Sequence, residues 1–192
     1  KLRFTITGIA ALLMHNGRLA DPSNEYAKML KVLTSKRLKT EADFKKMAEI
    51  EWFGGLWTWN KEPCIPSEVI EAALVKGAGR RKMTAQIKAG VICTQHARLL
   101  YDGPRDPREL WPDQQFRLQV PVQVQKGRVI RTRPRFPDWR ADVEIEYLPS
   151  VVSREVIEEL AVATGELVGI GDWRPRYGRF AVNFERQAPV AR

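Results

Sequence analysis

Two histidines and two cysteines are the first residues to weigh for chemistry in this chain of 192 residues, and their spacing excludes most of it. Cys64 and Cys93 form no CxxC pair, and only His15 and His96 are there to join them, so no metal site is expected and both thiols read as small buried hydrophobes. His15 follows the opening strand in a polar stretch, with Asp21 as the nearest carboxylate in sequence. A ribonuclease would use these two as its catalytic groups, although a lone loop histidine is more often an incidental contact. No GxSxG or HExxH is present. The stretch Gly77-Ala-Gly-Arg-Arg-Lys82-Met-Thr84 lacks the Walker spacing, and Gly169-Ile-Gly171 lacks the third glycine of a dinucleotide loop. The expectation is a protein that is not an enzyme and carries no cofactor.

Arginine offers the other chemistry. The chain has 32 Lys and Arg against 23 Asp and Glu, a net charge of +9 that phosphate, an anionic membrane surface or plain solubility would each explain. Distribution separates these. Ala72 to Tyr101 holds six bases and no acid, Arg117 to Arg140 holds seven bases and one acid, and Ala141 to Asp172 holds eight acids and one base. Solubility does not require such segregation. Arg131, Arg133 and Arg135 alternate with Thr132, Pro134 and Phe136, which on a strand places the three about 6.6 Å apart on one face, on the order of the phosphate repeat of an extended single strand. The alternative is that some of them pair with Glu144 and Glu146 of the following strand. The segment Gly169 to Phe180 combines three glycines with Arg174, Arg176, Arg179, Trp173 and Tyr177: backbone approach, phosphate forks and stacking rings in one loop. Trp173 and Tyr177 would equally serve to anchor that loop on a core.

These residues need elements to hold them. Leu2 to Gly8 and Arg140 to Leu148 alternate apolar with polar residues and read as strands with one wet face. Ser67 reads as the N-cap of a helix with Val69, Ile70, Ala73, Leu74 and Ala78 inward, ending at Gly77 to Gly79. Ser153 caps a second helix with Val156, Ile157, Leu160, Ala161, Thr164 and Leu167 on one face. Strands are expected near 90–94 and 97–101, a hairpin near 116–136 turned at Lys126-Gly127, and a last strand over 178–184. Two charged helices, near 25–33 and 40–52, fall in a stretch of about 22–60 that reads as an insertion. The second carries Phe44, Met47, Ala48 and Glu51 on a narrow stripe. Without that insertion the order is strand, helix, strands, helix, strand, which fits a split βαβ sheet with both helices on one face. The domain expectation is a single domain over 1–192 with one helical insertion.

Composition narrows the class further. With 44% hydrophobic residues and six Trp, the chain has enough apolar surface for a packed core. The longest uncharged apolar stretch, Ile9 to Met14, is far below the roughly 18 residues of a membrane span, and no signal-peptide order opens the sequence. Cytoplasm is the expected compartment, with no membrane partner.

The run Cys64-Ile-Pro-Ser-Glu-Val-Ile-Glu-Ala-Ala-Leu74 resembles the "iPgsslkGalR" helix start of the RAMP superfamily, which includes the backbone subunits of CRISPR effector complexes. Gly169-Ile170-Gly171 followed by Gly178-Arg179-Phe180 resembles that superfamily's glycine-rich loop. Most of the chain outside 22–60 is similar to such proteins, including stand-alone ones encoded by phages. The resemblance implies an α+β fold with a ferredoxin-like, RNA-recognition-type antiparallel sheet. It also implies subunits that bind a single strand by its backbone and stack head to tail. In members that cut RNA, an aspartate in the loop after the first strand performs the cleavage, and Asp21 lies in that region.

The expected function is sequence-tolerant binding of single-stranded nucleic acid, RNA such as a guide RNA ahead of DNA, with self-association along the strand and other CRISPR subunits as further partners. A phage single-stranded DNA binding or annealing protein and a RAMP-type endoribonuclease are the alternatives. The expected contacts are Arg18, Arg80, Arg81, Lys82, Lys88, Arg128, Arg131, Arg133, Arg135, Trp173, Arg174, Arg176, Tyr177 and Arg179.

Overall fold

The structure, a computed structural model, describes residues 1–124 and 127–184. Along the first half of the chain the elements are β1 (Leu2–Gly8), β2 (Leu12–Leu13), α1 (Glu25–Thr34), α2 (Glu41–Gly55), β3 (Thr58–Trp59), β4 (Glu62–Ile65), α3 (Ser67–Ala78) and α4 (Thr84–Gly90). There follow β5 (Val91–Ile92), β6 (Ala97–Leu100), α5 (Pro107–Leu110), β7 (Arg117–Val124), β8 (Gly127–Phe136), β9 (Arg140–Tyr147), α6 (Arg154–Leu167) and β10 (Phe180–Phe184). The chain is α+β with mostly antiparallel pairing, and its contacts divide it into two compact units. No helix among the described residues is long and apolar enough to cross a membrane.

The sheet unit comprises Lys1–Leu12, Cys64–Asp102 and the described residues from Asp138 on. Its strands lie in the order β10, β1, β9, β6, with Cys64 and Ile65 of β4 beyond β6, and each pairing is antiparallel. Alternation sets the faces. Leu2, Phe4 and Ile6 of β1 and Ala141, Val143 and Ile145 of β9 are buried, and α3 and α6 cover that side with Ile70, Ala73, Leu74 and Ala161. Residues of the other parity carry ions: Glu144 takes Lys1 at 2.8 Å and Arg3 at 2.6 Å, and Thr5 donates to Asp142 at 2.7 Å. These cations hold the Glu144 carboxyl below the usual carboxylate range, Lys1 contributing most.

Helix α3 starts one residue away from where the sequence places its cap. Pro66, in extended conformation, is the N-cap and Ser67 is the first helical residue. The cap acceptor comes from another segment, since His96 Nδ1 accepts the Ser67 amide at 3.1 Å. The chain also stays helical longer than the glycines suggest, through a 3-10 turn at Gly79–Arg81 and then α4. A seven-residue helix with one buried apolar side chain, Ile87, is too short to impose a periodicity on the sequence.

The hairpin unit comprises Leu13–Pro63 and Gly103–Pro137. The stretch read as an insertion and the basic hairpin therefore pack together. Aromatic burial is the reason: Trp52 of α2 lies 5.8 Å from Trp111 and donates its indole N–H to the Phe116 carbonyl at 2.8 Å, and Phe116 packs 5.7 Å from Phe136. β7 and β8 pair from Arg117↔Pro134 to Val124↔Gly127, and the Met14 amide donates to the Pro134 carbonyl on the far side of β8. A capping box opens α2, with Thr40 and Asp43 each accepting from the other's backbone. Lys36 adds an ion pair to Asp43 at 2.6 Å, and this cation, with the Thr40 amide, draws the Asp43 carboxyl down to about 2.

Candidate nucleic-acid interface

In the hairpin unit, β8 presents Arg131, Arg133 and Arg135 on one face while Thr132, Pro134 and Phe136 are buried on the other, as the alternation predicts. The row is not uniform. Arg131 is tied to Glu51 of α2, whose side chain is only 5% exposed and whose second oxygen accepts the Thr132 amide at 2.8 Å. The acid that holds Arg131 is thus Glu51, while Glu144 is engaged by Lys1 and Arg3. Glu51 was the one acid on the apolar stripe of α2, and a carboxylate at such a position is the sequence signal of a buried ion pair. For Arg135 no carboxylate lies within ion-pair distance among the described residues. The side chain of Arg128 and the turn residue Lys126 lie outside the described residues.

Arg18 does other work. Its guanidinium donates to the carbonyls of Phe53, Gly54 and Leu56 at 2.6, 2.8 and 3.0 Å, closing the end of α2, and stacks 4.8 Å from the Tyr26 ring. Its donors are spent on orphan helix carbonyls. Nearby in sequence, His15 is exposed, and Asp21 accepts from the Ser23 amide and hydroxyl at 2.8 and 2.7 Å. The Ser23 hydroxyl, then its amide, keep the Asp21 carboxyl below its ordinary range, so it is an anion held in a turn.

In the sheet unit the basic stretch after α3 is exposed at Arg80, Arg81, Lys82 and Lys88. Arg81 pairs with Glu159 of α6 at 2.7 Å, whereas Arg80, Lys82 and Lys88 have no carboxylate within ion-pair distance among the described residues. The second site of this unit is the loop between α6 and β10. Gly169, Gly171 and Gly178 have φ of +70°, +83° and +72°, and Trp173 joins them at +51°. The Ile170 amide donates to the Gly178 carbonyl at 2.9 Å, and the Gly178 amide donates to the Ala11 carbonyl at 2.9 Å. A side chain at Gly178 would overlap the Ile170 carbonyl oxygen, so the loop closes only around glycine.

Within this frame Trp173 and Tyr177 are half-buried, their rings 6.2 Å apart, with the Arg176 guanidinium 5.9 Å from the Tyr177 ring. They anchor the loop and keep part of each ring in solvent. Arg174, Arg176 and Arg179 have no carboxylate within ion-pair distance among the described residues. Along β10, β1 and β9 the open face of the sheet presents Arg3, Thr5, Thr7, Arg140, Asp142, Glu144, Glu146, Ala181 and Asn183. No aromatic ring stands among these positions, whereas RNA-recognition sheets stack bases on rings of that face.

Among the described residues no three His, Cys, Asp or Glu side chains gather as a metal site would require. Burial pushes the Cys64 and Cys93 thiols up to about 11, which leaves little nucleophilic thiolate at neutral pH. No protein-family model matches the chain, and no curated protein matches it.

Proposed function

We propose that this protein binds single-stranded nucleic acid without strong sequence preference, RNA ahead of DNA, as a RAMP-like subunit that associates with copies of itself along the strand. The observation that carries the reading is the loop between α6 and β10: a glycine-closed turn that holds two partly exposed rings, with Arg176 5.9 Å from the Tyr177 ring and with Arg174, Arg176 and Arg179 having no carboxylate at ion-pair distance among the described residues. Such a loop lets backbone, cation and ring meet a phosphate and its base together. Exposed Arg80, Lys82 and Lys88 and the half-exposed Arg133 and Arg135 add positive surface. The strand order β10, β1, β9, β6, with helices joining the strands on one side, supports a ferredoxin-like reading of the sheet unit.

Titrating labelled poly-U and poly-dT at several salt concentrations tests the proposal. The expected result is binding of both, poly-U tighter, with an affinity that falls linearly in log–log form as salt rises. Absence of binding, or binding indifferent to salt, overturns it.

A further inference from the structure

Between α2 and the β7–β8 hairpin lies a cavity of about 630 Å³, within the range of about 300–1,000 Å³ of small-ligand sites. Its walls are Phe44, Met47, Val129 and Ile130, and three of these are left open to solvent, Phe44 at 56% exposure, Val129 at 39% and Ile130 at 58%. Phe44 is the outer end of the α2 stripe whose inner end is the buried Glu51. No other ring lies in stacking range of Phe44 among the described residues.

The rim carries charge. Lys39, Lys45 and Arg131 line the cavity with Glu41 and Glu51; Lys45 pairs with Glu41 at 2.7 Å and Arg131 with Glu51, which leaves Lys39 as the lining cation with no carboxylate at ion-pair distance among the described residues. The wall also holds a polar pair, the Gln119 amide donating to the Thr132 hydroxyl at 3.3 Å. Apolar walls, an aromatic plane, an amide and a cation at the rim match a planar ligand with apolar faces, a polar edge and an anionic tether. A buried apolar peptide side chain would use the walls and leave the rim without a role.

We propose, resting on the single-strand reading above, that this cavity seats one nucleobase of the bound strand, stacked on Phe44, with Lys39 beside a phosphate that flanks it. Arg131 both lines the cavity and begins the arginine row of β8, so a strand whose phosphates follow the row has a base within reach of the cavity at that end.

The test compares oligo-U with an abasic sugar–phosphate strand of equal length at one salt concentration, on wild type, Phe44→Ala and Phe44→Tyr. Wild type is expected to prefer the base-bearing strand. Phe44→Ala should weaken oligo-U binding about five- to hundred-fold, the range of one base stacked on one ring, while leaving the abasic strand unchanged, and Phe44→Tyr should restore it. Because Phe44 is exposed, the alanine variant should keep the wild-type thermal unfolding curve, which checks folding. A 2-aminopurine within the strand should be quenched on wild type and not on Phe44→Ala. If Phe44→Ala binds oligo-U like wild type, whichever strand wild type prefers, the base seat is overturned while the single-strand reading stands. If wild type binds neither strand, that reading falls, and the seat with it. Loss of self-association in Phe44→Ala with unchanged oligo-U affinity would give the cavity to a second copy of the chain and overturn the proposal.

Discussion

Glu51 does two jobs with one carboxylate, accepting from the Arg131 guanidinium and from the Thr132 amide in a buried position. Removing it leaves an amide and a cation without their acceptor. Glu51→Ala is therefore expected to cost about 2–3 kcal/mol in urea unfolding. Glu51→Gln, which keeps an acceptor for the amide, should cost less. Gly178 is the second position where one residue decides a site. Its φ of +72° and the overlap any side chain would make with the Ile170 carbonyl predict that Gly178→Ala costs about 1–3 kcal/mol and loosens the arginine loop. Urea unfolding and poly-U titration on the same sample report both effects. A variant with wild-type stability and affinity would show that the loop tolerates another closure.

At the scale of elements, α2 matters because it joins a cap, an ion pair and the candidate base seat along one helix. Its cap depends on pH. The Asp43 carboxyl titrates near 2, below its ordinary 3.8, because Lys36 and the Thr40 amide favour the anion. The stabilisation this gives to the start of α2 is complete above about pH 4 and is lost as pH falls through about 2, since the unfolded chain binds the proton first. Amide exchange or chemical shifts at Thr40 and Asp43 should follow that window, and Asp43→Asn should be flat across it. Helix α3 is capped differently, by His96 from a distant segment, so its start is set by tertiary structure where that of α2 is set by its own sequence. His96→Ala is expected to lower stability by about 1 kcal/mol, the usual worth of a cap, measured by thermal or urea unfolding.

At the scale of the molecule, positive charge survives folding in both units. Each unit has its own reporter: Arg135 in the hairpin unit and Arg176 in the sheet unit, neither with a carboxylate at ion-pair distance among the described residues. If each meets one phosphate, Arg135→Ala and Arg176→Ala should each reduce the slope of log affinity against log salt by about 0.7, the single-strand value per contact. An unchanged slope in either variant would remove that unit's arginine from the interface. By contrast Arg18→Ala should spare the slope and lower stability, because its guanidinium closes α2.

Much of this was legible in order along the chain. Period-two alternation gave β1 and β9 their faces, period 3.6 gave α3 its face and α6 its buried Ile157, Leu160, Ala161 and Thr164 but not Leu167, which stands exposed in the last turn, and the spacing of Arg131, Arg133 and Arg135 put them on one side of β8, because side-chain direction follows from local backbone geometry. Partners were not legible. That Glu51 meets Arg131 across 80 positions, that His96 caps α3, and that residues 13–63 pack with 103–137 are matters of long-range contact. Alternation and capping act over a few residues and leave a mark in the sequence, whereas a buried ion pair or a shared aromatic core depends on which segments meet, and only the tertiary structure decides that. The sequence alone determined that the arginines stand in rows and a glycine loop; the fold decided that Arg18 and Arg131 are engaged by the scaffold and that Arg135, Arg174, Arg176 and Arg179 have no carboxylate at ion-pair distance among the described residues.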